Sequence, residues 1–474
     1  MGRMGRVHPE SGEGRAGRPA AYLDAVDRVA ARYAALPADR PVRLAKRTSN
    51  LFRARAGDAS RLDLSEMVGV LDLTEGEGGG PGTALVGGLS TYERLVDELL
   101  PRGRMPLVVP QLRTITLGGA VVGLGIESTS FRSGLPHESV LEADVLTGDG
   151  RVVTARPDGE HADLFRALPN SYGTLGYCLG LVVELERTAP LVELRHARLA
   201  DLDEACAVVA AVMGSGEHEG EPVDFLDGVV FGATETYLTL GRWTEDAGGR
   251  TPSDYTGQQI YYRSLQHRRR DLLTAEDYLW RWDTDWFWCS RAFGAQDPRL
   301  RRVWPRRWRR SDVYWRVMAL EQRYHVQRQL RRRRGRPDQE RVVQDVEIPL
   351  ARTAEFVRWF LATVPIEPLW LCPVRLRDDR VWPLYPMRPG EDYVNVGFWS
   401  AVDIAPGGRD GDVNRMIEDK VIELGGHKGL YSTATYDRAT FDRLYGGEVY
   451  AQVKAAYDPG GRLPTLYDKA VRGR

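Results

Sequence analysis

Cysteine is scarce in these 474 residues: Cys178, Cys206, Cys289 and Cys372 stand far apart, with no C-x-x-C pair and no histidine cluster beside them. That pattern argues against a disulfide framework and a zinc site, fits a reducing cytosol, and leaves no metal expected. A charge excess of either sign is missing too, since the formal net charge is −1, so nothing in the overall balance argues for nucleic acid. No apolar run reaches the roughly 18 residues needed to span a bilayer. The opening MGRMGRVHPESGEGRAGRP lacks the apolar core of a secretory signal, and residues 1–18 read as a disordered lead-in. There is no internal repeat and no G-x-x-x-x-G-K-[ST] phosphate loop. A G-x-G-x-x-G fingerprint is incomplete, because Gly123-Leu124-Gly125 is followed by Ser128 where a third glycine would stand.

What is present is a soluble composition, 42% hydrophobic and 28% charged, at a length that suits two or three domains. The densest feature runs from Pro110 to Gly134, PQLRTITLGGAVVGLGIESTSFRSG. Gly118, Gly119, Gly123, Gly125 and Gly134 alternate there with small apolar residues and with the hydroxyls of Thr114, Thr116, Ser128, Thr129 and Ser130. Glycine lets backbone approach a ligand, and clustered N–H groups bind anions. The stretch reads as a diphosphate cradle or as a glycine-rich turn packed between strands. The polar turn Lys46, Arg47, Thr48, Ser49, Asn50 offers a second arm around a phosphate.

Around that stretch the pattern is one of short strands, turns and helices. Ala20–Leu36 has helical spacing, Arg61–Leu73 and Thr83–Gly87 read as strand pieces, and Thr91–Leu100 is an amphipathic helix capped at Ser90. SVLEADVLTGDGRVVTA signals a hairpin turning at Gly148-Asp149-Gly150. Further on, Val342–Leu361 reads as strand then helix, Leu369–Leu376 and Tyr393–Trp399 as strands, and Asn414–Glu423 as a helix. The class is α+β.

Residues 278–336 are unusual. They hold Trp280, Trp282, Trp286, Trp288, Trp304, Trp308 and Trp315, together with Arg301, Arg302, Arg306, Arg307, Arg309, Arg310 and the run Arg331–Arg334. Three readings stand: a surface lying at a lipid headgroup layer, a surface stacking on RNA, or tryptophans walling a pocket with arginines on a solvated helix. In the first, Arg306, Arg307, Arg309 and Arg310 dock the protein.

Taken together, TLGGAVVGLGIESTSFRSG, RALPNSYGTLGYCLGLVVELE, VVQDVEIPL, PLWLCPVRL and LYGGEVYAQVKAAYDP resemble, in order, segments of the vanillyl-alcohol-oxidase/PCMH flavoprotein superfamily, within it the Δ24-sterol reductase branch. KRTSNLFRAR and DYLWRWDTDWFWCSRAFGAQ are similar to an actinobacterial group that serves tuberculostearic (10-methyl-branched) fatty acid synthesis. The resemblance implies a PCMH-type FAD-binding domain of two subdomains at 19–190, a separate α+β substrate or cap domain at 191–425, and a C-terminal return to the FAD domain at 426–474. It implies FAD contacts from Lys46, Arg47, Thr48, Ser49 and Asn50, and from Thr114, Thr116, Leu117, Gly118, Gly119, Gly123, Gly125, Ile126, Glu127, Ser128 and Gly134. On the adenine side it implies Gly173, Thr174, Gly176 and Val183. The first pyrophosphate turn holds no His or Cys, so non-covalent FAD is expected, reloaded by NADPH.

The activity so implied is reduction of the methylene group on a phospholipid-borne acyl chain, with a Δ24-sterol-type reductase or a sugar or alcohol oxidase as alternatives. An isolated double bond has no carbonyl to take up negative charge. Its reduction therefore needs a proton at the less substituted carbon and hydride at the more substituted one, in a dry pocket with an acid in reach. Candidates for that acid or its support are His427, Lys428, Tyr431, Tyr393, Asn395 and Glu367. Expected partners are the lipid, the inner face of the cell membrane through the Trp/Arg segment, and a methyltransferase that makes the methylene group. Nucleic acid is not among them.

Overall fold

Two antiparallel sheets carry the chain, as seen in a computed structural model that describes residues 17–46, 52, 59–76, 78, 80–324 and 326–473. The first sheet runs in the order Val70–Thr74, Thr83–Gly87, Tyr177–Arg187, Val140–Leu146 and Val152–Ala155, with Arg104–Pro106 pairing the far end of Tyr177–Arg187. The second has eight strands, in the order Arg270–Thr274, Leu191–Leu199, Glu235–Thr244, Phe225–Gly232, Leu369–Val374, Tyr393–Asp403, Gln339–Pro349 and His427–Lys428. Only three residues separate Arg187, the end of the first sheet's central strand, from Leu191, the start of the second sheet.

Local chemistry explains most of the elements. Helix Ala20–Ala34 buries Tyr22, Val26, Val29 and Tyr33 at helical spacing against the first sheet. Helix Tyr92–Leu99 is capped by Thr91, whose hydroxyl accepts from the Arg94 N–H, rather than by Ser90. Ser90 is occupied elsewhere: its hydroxyl accepts from Gly69 N at 2.7 Å and donates to Gly87 O at 2.6 Å, fixing a turn of the first sheet. The hairpin 140–155 turns where expected, with Gly150 at φ +90°.

The second sheet has two unlike faces because its strands alternate apolar and polar residues. Leu226, Leu238, Val346, Ile348, Leu371, Val394 and Val396 point to one side and pack under helices Leu202–Ser215, Leu350–Thr363 and Asp412–Glu423. The other side meets the first domain. After His427–Lys428 the chain returns, and helices Arg438–Leu444, Gly447–Tyr457 and Leu466–Ala470 seat on residues near the first sheet. Lys454 Nζ donates to Thr174 O at 2.6 Å, Lys469 Nζ to Tyr172 O at 2.6 Å, and Val42 N to Arg462 O at 2.8 Å.

Candidate active site

The glycine-rich stretch is not all loop. Thr116 caps a helix, Leu117–Gly123, in which three of seven residues are glycine, a residue costing about 1 kcal/mol each in a helix. Tertiary contact offsets that cost. Gly118 N donates to Gly88 O, and a Cβ on Gly118 would sit 2.7 Å from that oxygen, so only glycine lets the two backbones meet. Gly125 is equally constrained, since a Cβ there would meet Pro110 Cγ at 2.7 Å. Between them Leu124 takes a left-handed conformation, φ +60°.

Lys46 brings a cation to this turn, donating from Nζ to Thr116 Oγ1 at 2.9 Å. Thr114, Gly119, Gly123, Gly125 and Ile126 are half-buried, while Leu117, Gly118, Glu127, Ser128 and Gly134 are buried. Arg47, Thr48, Ser49 and Asn50 lie outside the described residues. On the second segment, Gly173 and Gly176 shape turns at φ +72° and +157°. Thr174 is buried with its hydroxyl on Ser171 O, and Val183 is sealed inside its strand, so any contact from Val183 comes through backbone.

Behind the glycine turn lies a buried ionic network. Glu127 accepts from Arg281 Nη1 at 2.8 Å, from Ser128 Oγ at 3.0 Å and from Gln111 Nε2. Arg281 reaches Asp227 through Nη2 at 2.9 Å, and the indole N–H groups of Trp282 and Trp370 also donate to Asp227 Oδ2. The guanidinium lies 3.9 Å from the centre of the Tyr278 ring. Burial pushes the Glu127 carboxyl upward, and Arg281 between two carboxylates is held well above its ordinary range although burial opposes that. One buried cation thus ties the glycine turn to the second sheet.

The face of that sheet turned toward the first domain carries a row of polar side chains, one per strand. Glu347 stands between His427 and Asn395, and Asn395 pairs with Cys372. Asp227 precedes Gly228, the partner of Leu371, and so continues the row beside Cys372. Thr239 and His196 complete it, joined by a 3.0 Å bond. All seven are buried. Asn395 Oδ1, Glu347 Oε2 and His427 Nε2 accept or donate no hydrogen bond, the last two facing each other at 3.7 Å. Buried polar atoms in that state are open to water or ligand.

Two residues back along the strand from Glu347, and on the same face, Asp345 is half-buried, opposite Gly397. Asn395 Nδ2 donates to its Oδ1 at 3.2 Å, the Tyr431 hydroxyl donates to the same carboxyl, and Trp399 Nε1 donates to Tyr431 at 3.0 Å. Burial raises the Asp345 carboxyl to about 6, with the Asn395 and Tyr431 bonds opposing. Aromatic rings surround the group. Trp399 lies 4.3 Å from Phe287, and Phe52 meets Tyr431, Trp286 and Trp315 at 5.9, 5.9 and 5.1 Å. Tyr172, bonded to Gly123 O, is near enough to Tyr385 and Tyr431 to perturb both phenols, which links the glycine turn to the acid group.

The six candidate residues separate. Tyr431 and Asn395 belong to the acid group. His427 is adjacent but buried, its Nε2 3.7 Å from Glu347, and burial lowers it to about 3, so it is neutral at ordinary pH. Tyr393 closes the far end of the same strand, donating to Glu391 at 2.6 Å. Lys428 points to the opposite face, paired with Glu418 at 2.8 Å beneath a helix. Glu367 is exposed on the turn before Leu369–Val374 and is not brought to the cleft. Asp345, Glu347, Arg281, Asp227 and Tyr172 were missed. The alternation in VVQDVEIP carries the signal for the first two, because a strand puts Asp345 and Glu347 on one face and Val346 and Ile348 on the other.

The described residues suit a flavin dinucleotide: a lysine at an accessible glycine turn for phosphate, unpartnered buried Asn170 Oδ1 and Ser171 Oγ beside Tyr172 for further polar groups, and an aromatic cleft for a planar ring. Comparison with known proteins agrees. Residues 21–156 match the FAD binding domain family. Over 447 residues the chain is 24% identical to the Delta(24)-sterol reductase of Arabidopsis thaliana, covering 87% of this chain and 77% of that one. It is 24% identical to the Delta(24)-sterol reductase of Homo sapiens, over 77% and 69% of the two chains. A shorter likeness, 28% over 124 residues, links it to cytokinin dehydrogenase 3 of Oryza sativa subsp. japonica, covering 26% of this chain and 23% of that one. The N-terminal domain is an FAD-binding domain, and the two-sheet α+β architecture is of the PCMH type.

Proposed function

We propose that this FAD-dependent oxidoreductase reduces an unactivated carbon–carbon double bond in a lipid, with NADPH as electron donor and FAD held non-covalently. The substrate is the methylene group of a 10-methylene fatty acyl phospholipid, and the product is the 10-methyl (tuberculostearic) chain. The observation that carries this reading is the Asp345 carboxyl, raised toward neutrality and set among aromatic rings beside the glycine turn.

When bound, the flavin supplies hydride. The chain supplies the rest. Asn395 and Tyr431 both donate to the Asp345 carboxyl, and the proton that the neutral carboxyl carries is the acid proton. Tyr431, itself held by Trp399, fixes the carboxyl's direction. Phe52, Trp286, Trp315 and Phe287 exclude water, and their ring faces favour the positive charge that develops at the branched carbon. Each turnover takes one proton from Asp345 and one back from solvent. Lys46, Thr116 and the glycine turn hold the diphosphate.

Names of the relatives favour a second reading, a Δ24-sterol-type reductase, since a trisubstituted sterol alkene needs the same acid and hydride. A sugar or alcohol oxidase fits the aromatic wall poorly. No helix among the described residues is long and apolar enough to cross a membrane, and we place the protein on the cytoplasmic face of the cell membrane, receiving its substrate from a methyltransferase. Anaerobic stopped-flow mixing tests the reading. NADPH should bleach the flavin, and methylene-branched phospholipid should restore its colour. Recovery with a Δ24 sterol alone would move the assignment to the second reading, and failure to bleach would reject both.

A further inference from the structure

Nine large hydrophobic side chains are exposed among the described residues, and six of them fall in one stretch of 25 residues: Leu300, Val303, Trp308, Val317, Leu320 and Tyr324. Val303 is 76% exposed and Leu320 56%. The stretch folds as helix Pro298–Val303, a turn at Arg306–Trp308 and helix Ser311–Tyr324. That last helix has two apolar sides. Inward, Tyr314 is fully buried against Phe293 and Trp304, and Trp315 joins Phe52 and Trp286 in the cleft wall. Outward, Val317, Leu320 and Tyr324 recur at i, i+3, i+7 and so form a stripe on one side of the helix.

The sequence along this stripe is one-sided in charge, although Arg306, Arg331 and Arg332 are paired by Asp254, Asp403 and Asp338 from outside it. Residues 298–336 hold fifteen arginines against two acidic residues. Some arginines are committed to the fold. Arg301 pairs with Asp285 at 2.6 Å, Arg309 donates to backbone carbonyls, and Arg310 grips Glu93, so Arg309 and Arg310 are not available for docking as the sequence led one to expect. Trp280, Trp282, Trp286 and Trp288 are likewise inside. Arg299, Arg302, Arg307, Arg333 and Arg334 remain exposed, and Arg307 lies 5.7 Å from the Trp308 ring.

We infer that the outward face of residues 299–324 docks on an anionic phospholipid surface, with Val303, Trp308, Val317 and Leu320 entering the headgroup–acyl boundary and Arg302 and Arg307 pairing phosphates. A second copy of the chain is a poor occupant, because two such faces would bring like charges together. A neutral apolar partner would leave the arginines unused. An anionic lipid layer satisfies both components. The helix that offers the stripe also packs Trp315 against Phe52 and Trp286, so the docked surface and that aromatic cluster share one element. This deepens the lipid reading above by naming the source of the substrate.

The test uses the full flavin-loaded chain and vesicles of phosphatidylcholine, alone or with an equal part of phosphatidylglycerol. The protein should sediment with the mixed vesicles and not with phosphatidylcholine alone, and salt should weaken the binding. The pairs Val303→Ser with Leu320→Ser, and Arg302→Ser with Arg307→Ser, should each weaken it about tenfold while leaving flavin absorbance and turnover of detergent-dispersed substrate unchanged. Binding that is absent, or equal in the variants, overturns the inference. So does a wild-type dimer in sedimentation velocity that the variants convert to monomer, since the face would then seat a second copy. Failure of the reductase reading appears separately, as absent wild-type turnover in detergent.

Discussion

Asp345→Asn should make the protein more stable and far less active. The carboxyl titrates at about 6 in the fold, against an ordinary value of 3.8, because burial penalises its charge. The native state therefore holds this proton more tightly than the unfolded chain does. Below about pH 4 both states are protonated and the group has no effect. Stability falls as pH rises toward 6 and stays lower above it. Two units correspond to about 3 kcal/mol, and solvent reaching the half-buried group brings the expectation to ~1–3 kcal/mol. Asparagine is never charged, and its carbonyl oxygen still accepts from Asn395. In denaturant titrations of the flavin-loaded protein, the variant should gain that amount near about pH 8 and nothing near about pH 3.5. In anaerobic single turnovers, wild-type reduction of the alkene should decline above about pH 6, and the variant should be slower by about 10²–10⁴ with that pH dependence removed. An active variant, an unchanged pH profile, or equal destabilisation at both pH values would refute the assignment of the acid.

Two further substitutions probe the supports of the cleft. Arg281→Ala leaves Glu127 and Asp227 as buried carboxylates without their cation, and should lower the unfolding free energy by about 3–5 kcal/mol in denaturant titrations; a loss under about 1 kcal/mol would mean the network is not held as described. Lys46→Ala removes the cation from the glycine turn and should raise the flavin Kd about tenfold in fluorescence titrations, more at low salt than at high; unaltered affinity would remove Lys46 from the phosphate site.

Local order was legible because it depends on neighbours in the chain. Helical spacing in Ala20–Leu36 and the Gly148–Gly150 turn need nothing distant, and both elements form. Thr91 displaced Ser90 as a cap because Gly69, twenty-one residues away, claims the Ser90 hydroxyl. The glycine stretch stood out in the sequence, yet its helix was hidden, since glycine argues against helix and the compensating contact comes from Gly88. Long-range pairing decided the neighbours of Asp345. The alternation puts Asp345 and Glu347 on one face of a strand, and the register sets Glu347 beside Asn395 and His427. Lys428 and His427 are adjacent in sequence and fall on opposite faces of the sheet. The Trp/Arg segment was ambiguous for the same reason: Trp282 and Trp308 look alike in sequence, while the fold buries one and exposes the other.

The C-terminal return has a consequence for how the protein comes into being on the ribosome. Thr174, Tyr172 and Val42 are bonded to Lys454, Lys469 and Arg462, residues made long after them; the first two bonds span 280 and 297 residues of chain. The amino-terminal part of the chain therefore emerges before its partners exist, and Thr174, Tyr172 and Val42 gain those bonds only once the C-terminal helices have been made.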